Sequence, residues 1–179
     1  MKLVILDRDG VINVDSDQYI KSPSEWRPLP GSIEAIARLY QSGFRVAVAT
    51  NQSGIGRGLF DMATLNAIND KMMEMVFRQG GRIDALFFCP HTADENCNCR
   101  KPRTGMLEEI AARFHTELKG VPAIGDSLRD LQAAESVGAQ PILVLTGKGK
   151  VTEEQGGMPR KTLVFEDLAE ASRHLIAHA

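Results

Sequence analysis

The chain has 179 residues, of which 43% are apolar and 25% are charged, and its formal net charge at pH 7 is −2. This composition is typical of a globular domain, and it offers no basic surface for nucleic acid. No apolar run reaches the roughly 18 residues that a membrane span needs. We therefore expect a single domain over residues 1–179 that binds neither nucleic acid nor membrane.

The first predicted element is a short buried strand, Leu3 to Leu6, which ends at two carboxylates, Asp7 and Asp9. Gly10 follows and allows the backbone to turn sharply. Side chains two positions apart on an extended segment point the same way, so both carboxylates can face one site. Two like charges this close need a cation or a shared proton. The segment predicts an acidic site, with two solvated acids at a strand end as the alternative.

The following residues predict a loop, a helix and a second strand. Residues 11–30 show no clear periodicity and contain three prolines, so we interpret them as a loop. A helix opens at Ser32 and is ended by Gly43. The second strand, Phe44 to Ala49, runs directly into the polar segment 50–58.

Three glycines, Gly54, Gly56 and Gly58, lie in that polar segment. Their spacing differs from that of a dinucleotide-binding fingerprint, which would also follow the first strand and not the second. We interpret the segment as a flexible substrate loop. Asp61 is the predicted N-cap of the next helix, which should run for about sixteen residues.

Strands and helices alternate through the rest of the chain. The predicted strands are Ala85–Phe88, Val121–Ile124, Ile142–Leu145 and Thr162–Phe165, and the predicted helices are Thr104–Phe114, Leu128–Gly138 and Asp167–Ala177. Residues 146–160 carry four glycines and one proline and are predicted to form a loop. The alternation indicates an α/β fold, a parallel sheet with helices on both faces.

Three polar residues each come just after a predicted strand: Asp7, Thr50 and Asp126. In an open parallel sheet the ligand crevice lies at the carboxyl ends of the strands. We therefore expect these three side chains at one edge of the sheet.

The chemistry of these residues suits phosphoryl transfer, which needs a nucleophile, an acid, positive charge and hydrogen-bond donors. Asp7 can form an aspartyl-phosphate, and Asp9 can protonate the leaving oxygen and later activate water. Asp126 can complete a magnesium site, because a hard cation takes oxygen ligands. Thr50 offers a hydroxyl and Lys101 a mobile point charge.

In this order the residues resemble the four motifs of the haloacid dehalogenase (HAD) superfamily: Asp7-Arg8-Asp9-Gly10-Val11, Thr50-Asn51, Lys101 and Gly125-Asp126-x-x-x-Asp130. The resemblance covers residues 3–147 and implies a HAD-like, Rossmann-like sheet. It also implies that Asp7 is the nucleophile and Asp9 the acid/base. Magnesium would be held by Asp7, the backbone carbonyl of Asp9, and Asp126. By its position alone, Asp130 could ligate through water or support its loop.

Two further features bear on the architecture. Only about twenty residues separate Gly10 from the first helix, too few for a folded cap domain, so we expect a minimal cap and an open active site.

All three cysteines cluster with one histidine, as Cys89, His91, Cys97 and Cys99. Such a set suits a closed, structural zinc site, with unligated reduced cysteines as the alternative.

The segment 89–99, which we call the zinc loop, bears on the cellular location of the protein and on the position of Lys101. An odd number of cysteines and the lack of a signal-peptide pattern favour a reducing compartment, so we expect a cytoplasmic protein. Arg100 and Lys101 follow Cys99 at once, so a metal there would fix the loop that carries the lysine.

A zinc loop in a minimally capped member is similar to two groups of HAD phosphatases. The segments Thr50 to Gly54, Arg57-Gly58 and Arg100-Lys101-Pro102 resemble the heptose 1,7-bisphosphate 7-phosphatases, whereas the short five-residue zinc spacer resembles the histidinol-phosphate phosphatases. The heptose resemblance implies substrate contacts at Asp15, Asp17, Gln18, Thr50, Asn51, Gln52, Ser53, Arg100 and Lys101.

Two arginines, Arg57 and Arg100, favour a sugar bisphosphate over histidinol phosphate as the substrate. Neither is needed to bind the first phosphate, and guanidinium groups suit a second phosphate or an array of hydroxyls. They would repel the ammonium and imidazole of histidinol phosphate. Asp15 and Asp17 could instead favour an amine.

We expect a monomeric, Mg²⁺-dependent enzyme that removes the 7-phosphate of a heptose bisphosphate and, like the enzymes it resembles, serves ADP-heptose synthesis for lipopolysaccharide. The alternatives are a histidinol-phosphate phosphatase and a non-catalytic phosphosugar-binding zinc protein. A phosphomutase must exclude water, and the missing cap argues against it.

Overall fold

A computed structural model describes residues 1–179. The strands are β1 (Lys2–Leu6), β2 (Phe44–Asn51), β3 (Ala85–Cys89), β4 (Pro122–Gly125), β5 (Gln140–Val144) and β6 (Leu163–Phe165). The helices are α1 (Ser32–Gln41), α2 (Met62–Arg78), α3 (Gly105–Phe114), α4 (Leu128–Ser136), α5 (Gly149–Gln155) and α6 (Leu168–Ala177), with short 3₁₀ helices at Pro23–Glu25 and Ala93–Glu95.

All six strands pair in parallel in one sheet, in the order β3-β2-β1-β4-β5-β6. The predicted α/β architecture is therefore confirmed, and β1 is a central strand between β2 and β4. The carboxyl ends of β1, β2 and β4 meet at one edge. The organisation of residues 1–179 as a single domain stays a prediction.

The core lies on both faces of the sheet. Val4 and Leu6 pack into a cluster with residues of α1, α2 and α6, whereas Leu3 and Ile5 pack into a second cluster with residues of α3 and α4. Successive side chains on a strand point to opposite faces, so a central strand covered on both faces must be apolar throughout. This explains the unbroken apolar run of β1. None of the helices is long and apolar enough to cross a membrane.

The prediction of a loop over residues 146–160 is wrong, because this segment contains α5. The helix is held by tertiary contacts that composition does not reveal: the Thr152 hydroxyl donates to the backbone carbonyl of Asp126 at 2.7 Å. Gly149 is also required, since a Cβ there would lie 1.8 Å from the carbonyl oxygen of Val144. Glycine here indicates a close backbone approach and not a flexible segment.

The loop between β1 and α1 is anchored without forming a cap domain. Trp26 is fully buried in the first core cluster. The Lys71 ammonium on α2 donates to the carbonyls of Pro23 and Trp26 at 2.7 and 2.8 Å. The minimal cap is confirmed, and the edge of the sheet is left accessible.

Candidate active site

Three carboxylates meet at the carboxyl edge of the sheet. One oxygen from each of Asp7, Asp126 and Asp130 lies within 4.8 Å of the other two. Asp7 follows β1 directly, Asp126 follows β4, and Asp130 lies in the first turn of α4. The structure thus places Asp130, for which the sequence left two roles open, beside the strand-end carboxylates Asp7 and Asp126.

The backbone around the cluster is shaped to admit these carboxylates. A Cβ on Gly10 would lie 2.0 Å from Asp126 Oδ2, and a Cβ on Gly147 would lie 2.3 Å from the same atom. Both glycines also have positive φ, +86° and +56°. The turns that follow β1 and β5 therefore bring bare backbone against one carboxylate, an arrangement that other residues would obstruct.

Burial and mutual repulsion make this cluster a fitting site for a cation. Burial, followed by the negative charge of Asp130, raises the pKa of Asp7 to about 7. Burial, followed by the negative charge of Asp7, raises the pKa of Asp126 to about 8. Buried carboxylate oxygens that repel one another are the donor set that a hard divalent cation stabilises. The residues therefore fit Mg²⁺.

Asp126 is oriented by the segment that precedes and begins α5. The backbone N–H of Lys148 donates to Asp126 Oδ2 at 2.8 Å. Asp126 does not cap α4, because Ser127 and Asp130 form the reciprocal cap at that helix start. Its other carboxylate oxygen is therefore available for a ligand.

Lys101 is held rigidly, which differs from the mobile point charge that we expected. Its Nζ lies 3.1 Å from Asp7 Oδ1 and 2.7 Å from Asp130 Oδ1, and it donates to the carbonyl of Ala49 at 2.8 Å. The residue is only 5% exposed. Burial alone would lower the pKa of Lys101, but Asp130 and Asp7 raise it above its ordinary value. The ammonium is therefore fixed and charged beside Asp7.

Asn51 explains how Lys101 is presented. The Asn51 side chain accepts from the backbone N–H of Lys101 at 3.0 Å and donates to its carbonyl at 3.2 Å. This pair of bonds joins the end of β2 to the zinc loop. Asn51, expected as a substrate contact, lines the cleft but is engaged with the backbone of Lys101.

Asp9 is clamped by donors on both carboxylate oxygens. Arg8 Nε and Asn13 Nδ2 donate to Oδ1 at 2.9 and 3.0 Å, and Gln52 Nε2 donates to Oδ2 at 3.1 Å. Gln52 also donates to the Thr50 hydroxyl at 3.0 Å. Burial would raise the pKa of Asp9, but the Arg8 guanidinium and these bonds lower it below its ordinary value. Sequence reasoning missed Arg8 and Asn13, although an arginine between two aspartates was a visible signal.

An open cleft of about 880 Å³, counting space open to solvent, surrounds the catalytic candidates. Its lining includes the expected residues Asp7, Asp9, Asp15, Asp17, Thr50, Asn51, Gln52, Ser53, Arg57, Arg100, Lys101 and Asp126. Gln18 is the exception: it lines a neighbouring hollow with Lys21 and Arg27. The structure therefore does not bring Gln18 into this cleft, whereas the next residue, Tyr19, which is in the left-handed region at φ +66°, lines both the cleft and the neighbouring hollow.

Two cationic residues that the sequence analysis did not predict also line the cleft, Arg129 and Lys148. Lys148 Nζ lies 3.7 Å from Asp15 Oδ2 and 3.5 Å from Asp17 Oδ1. No sequence signal marked Lys148, because its segment was predicted to be a loop. Its charge offsets the two carboxylates at the mouth of the cleft.

The glycine-rich segment after β2 forms compact turns, unlike the flexible loop that we expected. Arg57 N–H donates to the carbonyl of Ser53 at 3.0 Å, and Gly56 N–H donates to that of Pro90 at 2.9 Å. A Cβ on Gly56 would lie 2.7 Å from the Pro90 oxygen. The glycines allow the segment to pack on the zinc loop, and this packing presents the exposed Arg57 to the cleft.

The second candidate metal site lies beside the cleft. Ligand atoms of Cys89, His91, Cys97 and Cys99 all lie within 4.8 Å of one another, and the three thiols are free. Burial would raise the pKa of Cys97, but the Arg100 backbone N–H and the neighbouring thiols lower it to about 6. A closed set of three sulfurs and one imidazole is compatible with a tetrahedral structural zinc.

Comparisons with known proteins agree with this geometry. Residues 2–128 match the family model described as polynucleotide kinase 3 phosphatase, and residues 98–171 match a HAD-hydrolase-like model. The chain is 58% identical to a D-glycero-beta-D-manno-heptose-1,7-bisphosphate 7-phosphatase of Bordetella bronchiseptica, with all of both chains covered. It is 56% identical to the enzyme of the same name from Pseudomonas putida, over 98% of this chain and 100% of that one.

Solved structures agree as well. The crystal structure of D,D-heptose 1,7-bisphosphate phosphatase from B. bronchiseptica, complexed with magnesium and phosphate, matches with a TM-score of 0.99 and 58% identity over 100% of both chains. The corresponding enzyme from Burkholderia thailandensis matches with a TM-score of 0.79 and 52% identity over 99% of both chains.

Proposed function

The chain belongs to the family of D-glycero-beta-D-manno-heptose-1,7-bisphosphate 7-phosphatases, and from this premise we propose that it hydrolyses the 7-phosphate of that sugar bisphosphate. It is a phosphoric monoester hydrolase with a HAD-like fold. The observation that carries the proposal is the meeting of Asp7, Asp130 and Lys101 at the carboxyl edge, with Lys101 Nζ 3.1 Å from Asp7.

We assign the covalent chemistry to Asp7 and Asp9. An oxygen of Asp7 attacks the phosphorus and forms an aspartyl-phosphate. Asp9, which is ionised in the free protein, takes up a proton when the anionic substrate binds beside it and donates this proton to the leaving sugar oxygen. Water then attacks the phosphorus and passes a proton to Asp9. The bond between phosphorus and the Asp7 oxygen breaks, which releases inorganic phosphate and restores the Asp7 carboxylate. In this proposal Lys101 and the Thr50 hydroxyl hold the oxygens of the transferring group.

The residues that would hold Mg²⁺ are Asp7, Asp126 and the backbone carbonyl of Asp9. Asp130 is less suited, because it lies 2.7 Å from Lys101 and accepts from the Ser127 backbone and hydroxyl. When bound, the ion offsets the negative charge of the phosphoryl group. The Lys101 ammonium beside Asp7 contributes positive charge as well, so Asp7 can approach an anionic substrate.

Zinc at the cysteine–histidine cluster has a structural role in this proposal. Cys99 is two residues from Lys101, whose backbone is already held by Asn51. Arg103 also donates to the carbonyl of Cys97 and to the Asn96 side chain. A metal that closes this loop would preserve the position of Lys101 without contacting substrate.

The charges at the cleft support a second phosphate on the substrate. Arg57, Arg100 and Arg129 line the cleft, and Lys148 lies close to the carboxylates of Asp15 and Asp17. Those carboxylates, which could have favoured an amine, therefore already face a cation. The remaining guanidinium groups suit phosphate and hydroxyl oxygens and disfavour the cationic groups of histidinol phosphate.

The decisive experiment measures kcat/KM with Mg²⁺ on heptose 1,7-bisphosphate and on histidinol phosphate, with Asp7→Asn as the inactive control. We expect the bisphosphate to be preferred and heptose 1-phosphate to be the product. Preference for histidinol phosphate would overturn the substrate but leave the phosphatase mechanism intact. Phosphosugar binding by wild-type protein without any phosphate release would favour a non-catalytic binding protein.

We also propose that the enzyme acts as a cytoplasmic monomer in ADP-heptose synthesis for lipopolysaccharide. The three free thiols support a reducing compartment. The proposed catalytic and metal-binding residues all come from one chain, so the mechanism requires no residue of a second copy. Light scattering of the zinc-loaded protein tests the monomer, since a dimer would double the measured mass.

A further inference from the structure

A fully buried arginine lies behind the proposed acid/base. Arg8 is 0% exposed, and its Nε donates to Asp9 Oδ1 at 2.9 Å. Its Nη1 donates to the side-chain oxygen of Asn69 at 3.1 Å, and its Nη2 has no partner. Asn69 lies in the middle of α2 and is only 6% exposed.

A charge in this position is poorly explained by stability alone. Removing a guanidinium from water is costly, and a pair with one nitrogen left without a partner recovers that cost only in part. Apolar residues of similar volume often replace buried ion pairs without loss of stability. The arrangement therefore suggests that Arg8 is kept for what it does to Asp9.

The geometry gives Asn69 a defined effect. The guanidinium is planar and its donors have fixed directions. The bond from Nη1 to Asn69 fixes the rotation of that plane, and the plane fixes the direction from which Nε meets the Asp9 carboxylate. Asn13 and Gln52 hold the same carboxylate from other directions, but neither side chain forms a hydrogen bond with the Arg8 guanidinium.

We propose that Asn69 and Arg8 are positioning residues that hold Asp9 in the orientation needed for its proton transfers. Helix α2, which contributes no side chain to the cleft, thereby controls the reactivity of the acid/base. This inference rests on the proposed roles of Asp7 and Asp9. It concerns the chemical steps and not substrate binding, because Asn69 is buried away from the cleft.

The test uses two substrates that depend differently on Asp9. Forming the aspartyl-phosphate from a sugar phosphate needs a proton for the sugar oxygen, whereas p-nitrophenyl phosphate releases a stable nitrophenolate without one. Both substrates need Asp9 to activate water in the second step. With the aryl ester, a misplaced Asp9 therefore leaves the rate of the first step unchanged and slows the second step.

The main variant is Asn69→Leu, which keeps the volume but removes the acceptor. We expect kcat on heptose 1,7-bisphosphate to fall about 10-fold or more, with KM changed by less than about 3-fold. With p-nitrophenyl phosphate, rapid mixing should show a burst approaching one nitrophenolate per chain, followed by slow turnover. Asn69→Asp keeps an acceptor at the same place and should restore most of kcat.

Asn66→Ala is the matched control, because Asn66 lies on the same helix but is exposed. If Asn69→Leu is too unstable to assay, Arg8→Lys keeps the charge, loses the planar fork and should show the same separation of kcat and KM. The inference is overturned if a folded variant keeps kcat within about 2-fold of the control. It is also overturned if kcat falls while KM rises to a similar extent and no burst is seen.

Asp9→Asn separates this inference from the proposed function. If Asp9→Asn is inactive while the Asn69 and Arg8 variants turn over normally, only the positioning role is wrong. If Asp9→Asn itself keeps full activity, the proposed acid/base role fails and the positioning role fails with it.

Discussion

Lys101 Nζ lies 2.7 Å from Asp130 Oδ1, and both side chains are almost completely buried. The same ammonium lies 3.1 Å from Asp7, so Asp130 aligns the cation beside the proposed nucleophile. Burial would raise the pKa of Asp130, but Lys101 and Ser127 lower it, so the carboxylate stays ionised.

Asp130→Asn should impair both stability and activity. The substitution leaves Lys101 with only one carboxylate partner in a buried site. Breaking a buried ion pair in this way costs about 3 kcal/mol or more, so the free energy of unfolding in urea should fall by that order. Since Lys101 is then less well held, kcat/KM should fall as well. Glu135→Gln on the exposed side of the same helix is the control and should change neither quantity.

Stabilisation by Mg²⁺ should increase with pH. In the metal-free protein the pKa values of Asp7 and Asp126, about 7 and about 8, lie above the ordinary 3.8. Between about pH 4 and 8 the native state therefore binds more protons than the unfolded state, so metal-free stability falls as pH rises. Mg²⁺ needs the ionised carboxylates and releases these protons on binding.

The measurement is the change in Tm on adding Mg²⁺, taken from about pH 6 to 8.5, together with proton release in weak buffer. The shift should be larger at the higher pH. Asp126→Asn should remove most of the shift, whereas Asp70→Asn, an exposed change on α2, should preserve it. An Mg²⁺ shift that is the same at both ends of this range would contradict the assignment.

Purified protein should contain about one zinc per chain, and Cys97→Ser should lose it. Loss of zinc loosens the loop that carries Lys101, so activity should fall, but less than in Asp7→Asn, which removes the nucleophile. Metal analysis and phosphate release measure the two effects. Asp94→Asn changes an exposed residue of the same loop and should retain zinc. Zinc-free, fully active wild-type protein prepared under reducing conditions would rule the site out.

Arg57→Ala and Arg100→Ala should raise KM for heptose 1,7-bisphosphate more than KM for heptose 7-phosphate. Both arginines line the cleft, and the monophosphate lacks the group that they are proposed to bind. Loss of one charge-assisted contact corresponds to about 10-fold in KM. Arg78→Ala, at the exposed end of α2, is the matched control. Equal increases for both substrates would assign these arginines to the sugar or the 7-phosphate instead.

Local sequence patterns were sufficient for the sheet and for the positions of the reactive groups. The apolar run ending at Asp7 predicted a buried strand because a central strand is covered on both faces. Asp61 was correctly predicted as a helix cap, and its side chain accepts from the Thr64 N–H. The cysteine–histidine cluster could be recognised because its four ligands lie within eleven residues of sequence.

The tertiary structure alone decided how the side chains are held. The helical state of residues 149–155 depends on Thr152 reaching Asp126, and the rigidity of Lys101 depends on Asp130. The partner of Arg8, Asn69, is 61 residues away in sequence. Such contacts join distant elements, so no local period or motif encodes them. The order of residues specifies which groups are present and at which strand ends, because strand patterning and alternation are local features of the chain. The orientation and protonation of those groups were decided by long-range hydrogen bonds and by the low-dielectric surroundings that only the folded chain creates.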